Sequence, residues 1–149
     1  IWDGGRLPTE AEWNYAAAGG GMADPGGDGQ RVYPWSSPRA DTSLDTTYAT
    51  YNATGTATFV GKVGSKSPKG DGRWGHADLA GNVWEWMLDT SRKPYAINPC
   101  NDCADLTNAP EKTIRGGSWN TIAVTLLSSF RSSADPTFRG YDLGVRCAR

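Results

Sequence analysis

Glycine and proline set the first limit on what this chain can fold into. The sequence carries 19 Gly and nine Pro in 149 residues, nearly a fifth of the total. Glycine opens backbone angles that other residues avoid, and proline removes a donor and fixes φ. Such punctuation predicts many turns and short elements, and excludes a helical bundle. The apolar fraction of 38% is low for a globular chain. Seven Trp, six Tyr and three Phe offset it, because each ring buries a large area. Rings and charges are interspersed throughout, so the chain is not of low complexity. The length suits a single domain over residues 1–149, able to bury about two-thirds of its unfolded surface.

The formal net charge is −1, with acids and bases mixed. No basic stripe is present, so a nucleic-acid partner is not expected. No apolar run approaches the ~20 residues of a membrane span. The chain opens on Ile1-Trp2-Asp3 without Met or a signal sequence, and reads as a mature or truncated piece.

One helix is clearly written. Thr9-Glu10-Ala11-Glu12 has the capping-box form, with Pro8 before it. Trp13, Ala16 and Ala17 then share a face, and Gly19-Gly20-Gly21 stops the helix after about ten residues. Residues 19–31 read as an exposed loop, Tyr33-Pro34-Trp35 as a buried anchor, and 36–58 as coil pinned by rings. Val60 and Val63 flank a short extended piece, followed by a turn cluster from Lys66 to Gly72. Val83, Trp84, Trp86 and Met87 suggest a mostly buried strand, with a long loop over 89–112. Further strands are expected from Ile114 with a glycine kink, at Leu126–Arg131 and at Leu143–Cys147. Asp135-Pro136 turns between the last two. The fold class is α+β, with little regular structure and long loops.

The three cysteines are Cys100, Cys103 and Cys147. Cys100-Asn101-Asp102-Cys103 is a CxxC between Asn98-Pro99 and an acidic loop, not at a helix start, which argues against redox chemistry. A small-loop disulfide, free thiols and a metal site all stay open. Zinc would need more ligands, and His76 is the sole histidine. The disulfide reading implies an exported protein: secreted, periplasmic or at the cell surface.

Four segments carry a more specific signal. They are Gly5-Arg6-Leu7-Pro8-Thr9-Glu10-Ala11-Glu12-Trp13, Asp78-Leu79-Ala80-Gly81-Asn82-Val83-Trp84-Glu85-Trp86, Arg115-Gly116-Gly117-Ser118-Trp119 and Leu143-Gly144-Val145-Arg146-Cys147. In this order and spacing the chain resembles the family of the formylglycine-generating enzyme, or sulfatase-modifying factor. The resemblance covers essentially all 149 residues, without the strands that normally precede the first motif. It implies an irregular C-type-lectin-like domain.

The resemblance also implies a calcium site. Asp78 and Glu85 would contribute side chains, and Gly81 and Val83 backbone carbonyls. Hard oxygen donors around a glycine turn suit that ion. Read without the family, Glu85 instead pairs with an arginine such as Arg6 or Arg146, and Asp78 caps a turn. A second family calcium site falls near Ala49-Thr50-Tyr51, where Thr50 replaces the expected amide or acid. Cys147 is similar to a family cysteine whose disulfide partner would lie upstream of Ile1, in an N-terminal fragment or a partner chain. The alternative is a buried free thiol.

The oxidase of this family holds copper(I) through two thiolates after the Gly-Gly-Ser motif, and soft sulfur suits that ion. The corresponding positions look like Thr121 and Leu126, so no copper is expected. The related sulfoxide synthases draw iron-binding histidines from another domain, which this sequence does not contain. His76 reads as structural. Arg131, Arg139 and Arg146 either form an anion site or pair with Asp135, Asp142 and other acids.

A binding module fits the sequence best, with its ligand surface on residues 120–142. Candidate contacts are Asn120, Thr121, Phe130, Phe138 and Tyr141, with Ile122, Val124 and Thr125 among them. Rings between short polar residues make an adaptable surface for a protein or small-molecule ligand. Alternatively, Ile122, Val124 and Leu126 alternate into the core. Variable proteins of diversity-generating retroelements use a similar scaffold, and Gly116 to Arg146 resembles their C-terminal layout in length. The other functional readings are an enzyme of the sulfatase-modifying family, or a subunit of one, and a structural component of an exported assembly.

Overall fold

The computed structural model describes residues 4–19, 29–55, 59–92 and 104–149. Helix α1 spans Glu10–Ala18, as the capping box predicts. The Thr9 hydroxyl accepts the Glu12 N–H at 3.1 Å, and Glu12 Oε2 accepts the Thr9 N–H at 2.8 Å. Gly19 closes the helix at φ 87°, its N–H on the Tyr15 carbonyl. The helix start is also tied to the sheet. Asp89 Oδ2 accepts the Glu10 N–H at 2.7 Å, and Leu88 N–H donates to the Pro8 carbonyl at 2.9 Å. A carboxylate there satisfies an orphan donor and meets the positive end of the helix dipole.

Four short strands form one sheet: β1 (Trp84–Thr90), β2 (Lys112–Arg115), β3 (Arg131–Ala134) and β4 (Leu143–Gly144). Their order is β3-β2-β1-β4. The β1–β2 and β2–β3 pairs are antiparallel, with Glu85 opposite Arg115 and Ile114 opposite Ser132. β4 runs parallel to β1, with Trp84 opposite Leu143. This architecture is the expected α+β class with few regular elements.

Several elements differ from the sequence expectation. The strand expected from Ile114 begins at Lys112 and ends at Arg115, because Gly116 and Gly117 take φ values of 93° and 71°. The strand expected over 126–131 is replaced by a 3₁₀ turn, Ala123–Leu126. Both the N–H and the hydroxyl of Thr125 donate to the Ile122 carbonyl, at 3.0 and 2.9 Å. Such local bonds compete with a sheet ladder, and extended pairing resumes only at Arg131. Ile122 and Val124 are exposed while Leu126 is buried, so the three do not alternate into the core. The last strand shrinks to two residues, and the chain end pairs instead with the first motif. Arg6 and Ala148 exchange backbone hydrogen bonds at 2.9 and 2.8 Å. Val60 and Val63 are exposed, and the chain forms turns from Val63 to Gly70 rather than an extended piece. The loop expected over 89–112 starts two residues later and ends one earlier, since β1 runs to Thr90 and β2 starts at Lys112.

The core has two parts. Trp13, Ala17, Leu79 and Met87 pack between α1 and the sheet. Tyr33, Ala49, Ala80 and Leu126 pack among the loops, with Trp35 and Tyr51 against them. The Tyr33-Pro34-Trp35 anchor is real: Tyr33 and Trp35 stack at 5.1 Å, and Trp35 stacks on Tyr48 at 5.3 Å.

Charge is buried where the elements meet. Arg115, 1% exposed, lies over the Trp13 ring at 4.7 Å. It donates to Asn14 Oδ1 and the Ser128 carbonyl, both at 2.9 Å. Glu10, also buried, accepts two bonds from Arg131 at 2.8 and 2.7 Å and lies 3.9 Å from Arg115. One carboxylate thus joins α1 to β2 and β3.

The Arg6 guanidinium holds the Glu12 carboxyl down to about 2, from an ordinary 4.5, helped by the Thr9 N–H and hydroxyl and opposed by burial. A depressed carboxylate stabilises the fold above its unfolded value and loses that contribution as pH falls through the folded one. The Glu12 contribution is therefore complete above pH 4.5 and fades towards pH 2. The Arg6–Glu12 pair is partly open to solvent, so the effect should stay within about 1 kcal/mol. In thermal melts, Glu12→Gln should be less stable than the wild type at pH 6, with the gap closing towards pH 2.5. A constant gap would show that the charge is immaterial.

Candidate functional site

The turn from Asp78 to Val83 sits at the centre of the molecule. Gly81 takes φ 79° and Asn82 φ 65°, values suited to glycine and tolerated by asparagine. A Cβ on Gly81 would lie 2.5 Å from the Thr50 carbonyl oxygen, so the close approach requires glycine. Buried Asn82 binds three distant segments. Its N–H donates to Thr50 O, its carbonyl accepts Trp119 N–H, and its Oδ1 accepts Gly61 N–H, all at 2.8 Å.

Of the four residues expected to hold calcium, Asp78, Gly81 and Val83 lie on this turn and Glu85 follows on β1. Asp78, at φ 56°, accepts the Gly64 N–H on Oδ2 at 2.7 Å. Glu85 is buried and already engaged. Arg146 Nη2 reaches Oε1 at 2.7 Å, its Nε lies 3.1 Å from both oxygens, and Trp13 Nε1 donates to Oε2 at 2.8 Å. Arg146 also donates to the Ala77 carbonyl at 2.7 Å. Asp78 and the turn backbone offer hard oxygen donors that fit calcium. Glu85 fits less well, because an ion there would share it with Arg146.

The expected ligand surface separates into two groups. Thr121 is half-buried and locked: its Oγ1 accepts the Ser118 N–H at 2.9 Å and lies 2.7 Å from Thr125 Oγ1. Phe130 is half-buried, tilted against Trp84 at 6.1 Å. Asn120 is exposed beside Ser118. Phe138 and Tyr141 are 53% and 80% exposed. Together with Trp86, Arg139, Gly140 and Leu143 they line a cleft of about 430 Å³. Sequence reasoning placed Trp86 in a buried strand and did not foresee this cleft. Alternation along β1 was the available signal, since the buried Glu85 and Met87 flank a half-buried Trp86.

Two of Arg131, Arg139 and Arg146 pair with acids, as one of the two readings expects, and Glu85 takes Arg146 as the reading without the family has it, but neither partner is Asp135 or Asp142. Arg131 goes to Glu10 and Arg146 to Glu85, whereas Asp135 bonds Thr137 and Asp142 bonds Ser118. The hydroxyl and N–H of Thr137 hold the Asp135 carboxyl below the usual range. Arg139 Nη1 donates to the Pro136 and Phe138 carbonyls, each at 3.0 Å. His76 is exposed and lines a second cleft, about 350 Å³, with Trp13, Arg146 and Cys147. The Cys147 thiol is free and exposed, not buried as the bridge-free reading expected. Cys100 and Cys103 lie outside the described residues. Among the described residues, no helix is long and apolar enough to cross a membrane.

This arrangement of turn, Gly-Gly-Ser-Trp segment and terminal strand matches known proteins. A family model described as a sulfatase-modifying factor enzyme 1-like domain covers residues 1–149. The chain belongs to the sulfatase-modifying factor family. It is 34% identical to the formylglycine-generating enzyme of Streptomyces coelicolor, over 99% of this chain and 47% of that protein. It is 32% identical to the hercynine oxygenase of Mycolicibacterium smegmatis, over 99% of this chain and 33% of that one. Among solved structures, variable protein 1 of Treponema denticola superposes with a TM-score of 0.73 at 28% identity, over 96% of this chain and 46% of that one. The chain thus spans less than half the length of these relatives. The sulfatase-modifying fold is the irregular C-type-lectin-like domain that the four motifs imply.

Thr121 and Leu126, the residues that the resemblance matches to the copper thiolates, are held in a hydroxyl network and fully buried, respectively. Neither side chain offers a sulfur ligand. In Arg146→Met, Glu85 would keep its burial but lose its counter-charge. Removing one partner of a buried pair is costly, and partial exposure of Arg146 brings the expected loss to about 2–4 kcal/mol in urea denaturation. Adding Glu85→Gln should recover part of it. A loss below the error of the measurement would show that the pair does not hold the C-terminal segment.

Proposed function

We propose that this chain is a non-catalytic binding module on the sulfatase-modifying scaffold, with its ligand surface on residues 120–142. The observation that carries this reading is the state of Thr121 and Leu126, which the resemblance matches to the copper thiolates. Leu126 is core, and Thr121 is tied to Ser118 and Thr125. Around them the segment exposes Ile122, Val124, Phe138 and Tyr141. Apolar groups grouped on a surface are a mark of recognition. Work outside the cytoplasm belongs to the same reading, through a Cys100–Cys103 disulfide.

A second reading is an enzyme of the family. The names of the relatives favour it, since they are a formylglycine-generating enzyme and a hercynine oxygenase. The two readings separate in one assay. The protein is offered copper(I) and oxygen with a sulfatase-type peptide containing cysteine, and the peptide is followed by mass spectrometry. The binding module gives no aldehyde and retains no copper. Turnover would overturn it and return the chain to the oxidases.

Calcium is the second part of the proposal. Asp78, the Gly81 and Val83 carbonyls and Glu85 would hold the ion, which would cross-link the turn to β1 and share the Glu85 carboxylate with Arg146. A ligand that binds only the native state stabilises it by RT ln(1 + L/Kd), where L is its free concentration, and so raises the melting temperature once L exceeds Kd. Millimolar calcium should raise it by several degrees over the chelator-treated protein, and Asp78→Ala should abolish the rise. Equal melting with calcium and with chelator would remove calcium from the proposal.

A further inference from the structure

The cleft beside β4 has a composition that narrows its ligand. Three rings line it: Trp86 from β1, and Phe138 and Tyr141 from the loop before β4. Trp119 extends the aromatic surface, its ring 6.0 Å from that of Tyr141. Gly140 keeps the loop in shape. A Cβ there would lie 2.7 Å from Phe138 Cε1, so any side chain would push the Phe138 ring from its place. The space, about 430 Å³, is in the range that holds a small molecule.

Charge decides the rest. Among Arg131, Arg139 and Arg146, the first is committed to Glu10 and the last to Glu85. Arg139 is exposed and bonds two backbone carbonyls through Nη1 alone. Those bonds fix the guanidinium without neutralising it. Its Nε and Nη2 bond no acceptor among the described residues, and that edge matches a carboxylate in bidentate geometry. Of the nearest acids in sequence, Asp135 is turned elsewhere, while Asp142 keeps Oδ1 on the Gly140 side, 3.1 Å from where a Cβ on that glycine would lie. Asp135 Oδ1 accepts the Thr137 N–H and hydroxyl at 2.7 and 2.6 Å. Half-buried Asp142 takes the Ser118 hydroxyl on Oδ2 at 3.0 Å.

We propose that this cleft binds a planar aromatic anion, its ring among Trp86, Phe138 and Tyr141 and its carboxylate on Arg139. The proposal rests on the binding-module reading and gives its ligand a chemical class. A free aryl acetate and a polypeptide ending in an aromatic residue present the same chemistry.

The test is calorimetric titration of the intact protein with indole-3-acetate and with indole-3-acetamide. A tetrapeptide ending in Trp is run alongside, as free acid and as amide. The acid should bind at least about tenfold tighter than its amide. Arg139→Gln should bring acid and amide to the same weak affinity, and Arg139→Lys should keep part of the preference. Trp86→Ala should weaken both together. Arg139 is exposed, so its variants should keep the wild-type melting temperature, which is measured in parallel. Tighter binding of the peptide acid than of indole-3-acetate would assign a polypeptide end as the source, and the reverse a free small molecule. Equal binding of acid and amide, or no binding of either, would overturn the inference. That result would leave the binding-module reading intact, since only turnover in the copper assay overturns it.

Discussion

Asn82 holds together a molecule that has little else to hold it. One α-helix and four short strands supply few ladder hydrogen bonds, so most backbone groups in the loops need other partners. Asn82 satisfies three distant segments from one buried position: Thr50 through its N–H, Trp119 through its carbonyl and Gly61 through its side chain. It can do so because it adopts φ 65° beside Gly81 at 79°, which turns successive peptide groups outward in different directions. Gly81 N–H reaches the Gly116 carbonyl in the same turn. The segments that carry Thr50, Gly61, Gly116 and Trp119 are all tied to this turn.

The second layer of order is buried charge. Glu10 bridges to Arg131 and approaches Arg115, and Glu85 bridges to Arg146 and Trp13. Ion pairs of this kind often add little net stability, because desolvation offsets the attraction. They do select among packings, since each misplaced element would strand a charge in the interior. Here they fix α1 to β2 and β3, and the C-terminal segment to β1. Arg115 also covers the Trp13 ring, so the charged and apolar parts of the core are continuous.

This frame explains why the surface over 120–142 can vary in character while the fold stays. Leu126, Ser118 and Ser128 are fully buried and anchor the segment at intervals. Ile122, Val124, Phe138 and Tyr141, between the anchors or beyond them, face solvent. The same division of labour suits an oxidase, which needs two fixed thiolates, and a binding surface, which needs rings on a rigid base. Thr121 and Leu126 belong to the rigid base, Thr121 through its hydroxyl bonds and Leu126 through burial.

How much of this was legible in the sequence depends on the range of the interactions involved. The helix was legible almost to the residue, because the Thr9–Glu12 capping box and the Gly19 stop act within a few positions. The strand at Trp84 was legible from its apolar run, and the fold from four motifs in order. The strand expected over 126–131 was not found, because the Thr125 hydroxyl and the turn at 127–130 outcompeted the ladder. The pairing of Arg131 with Glu10 was out of reach, since the partners are 121 residues apart. So was the cleft, which joins a β1 ring to a loop more than fifty residues later and exists only once β4 lies parallel to β1. Sequence alone determined the scaffold and the absence of sulfur at positions 121 and 126, which are matters of local pattern and residue identity. Tertiary structure alone decided which charges are neutralised and which rings meet, because both depend on distances that chain order does not encode.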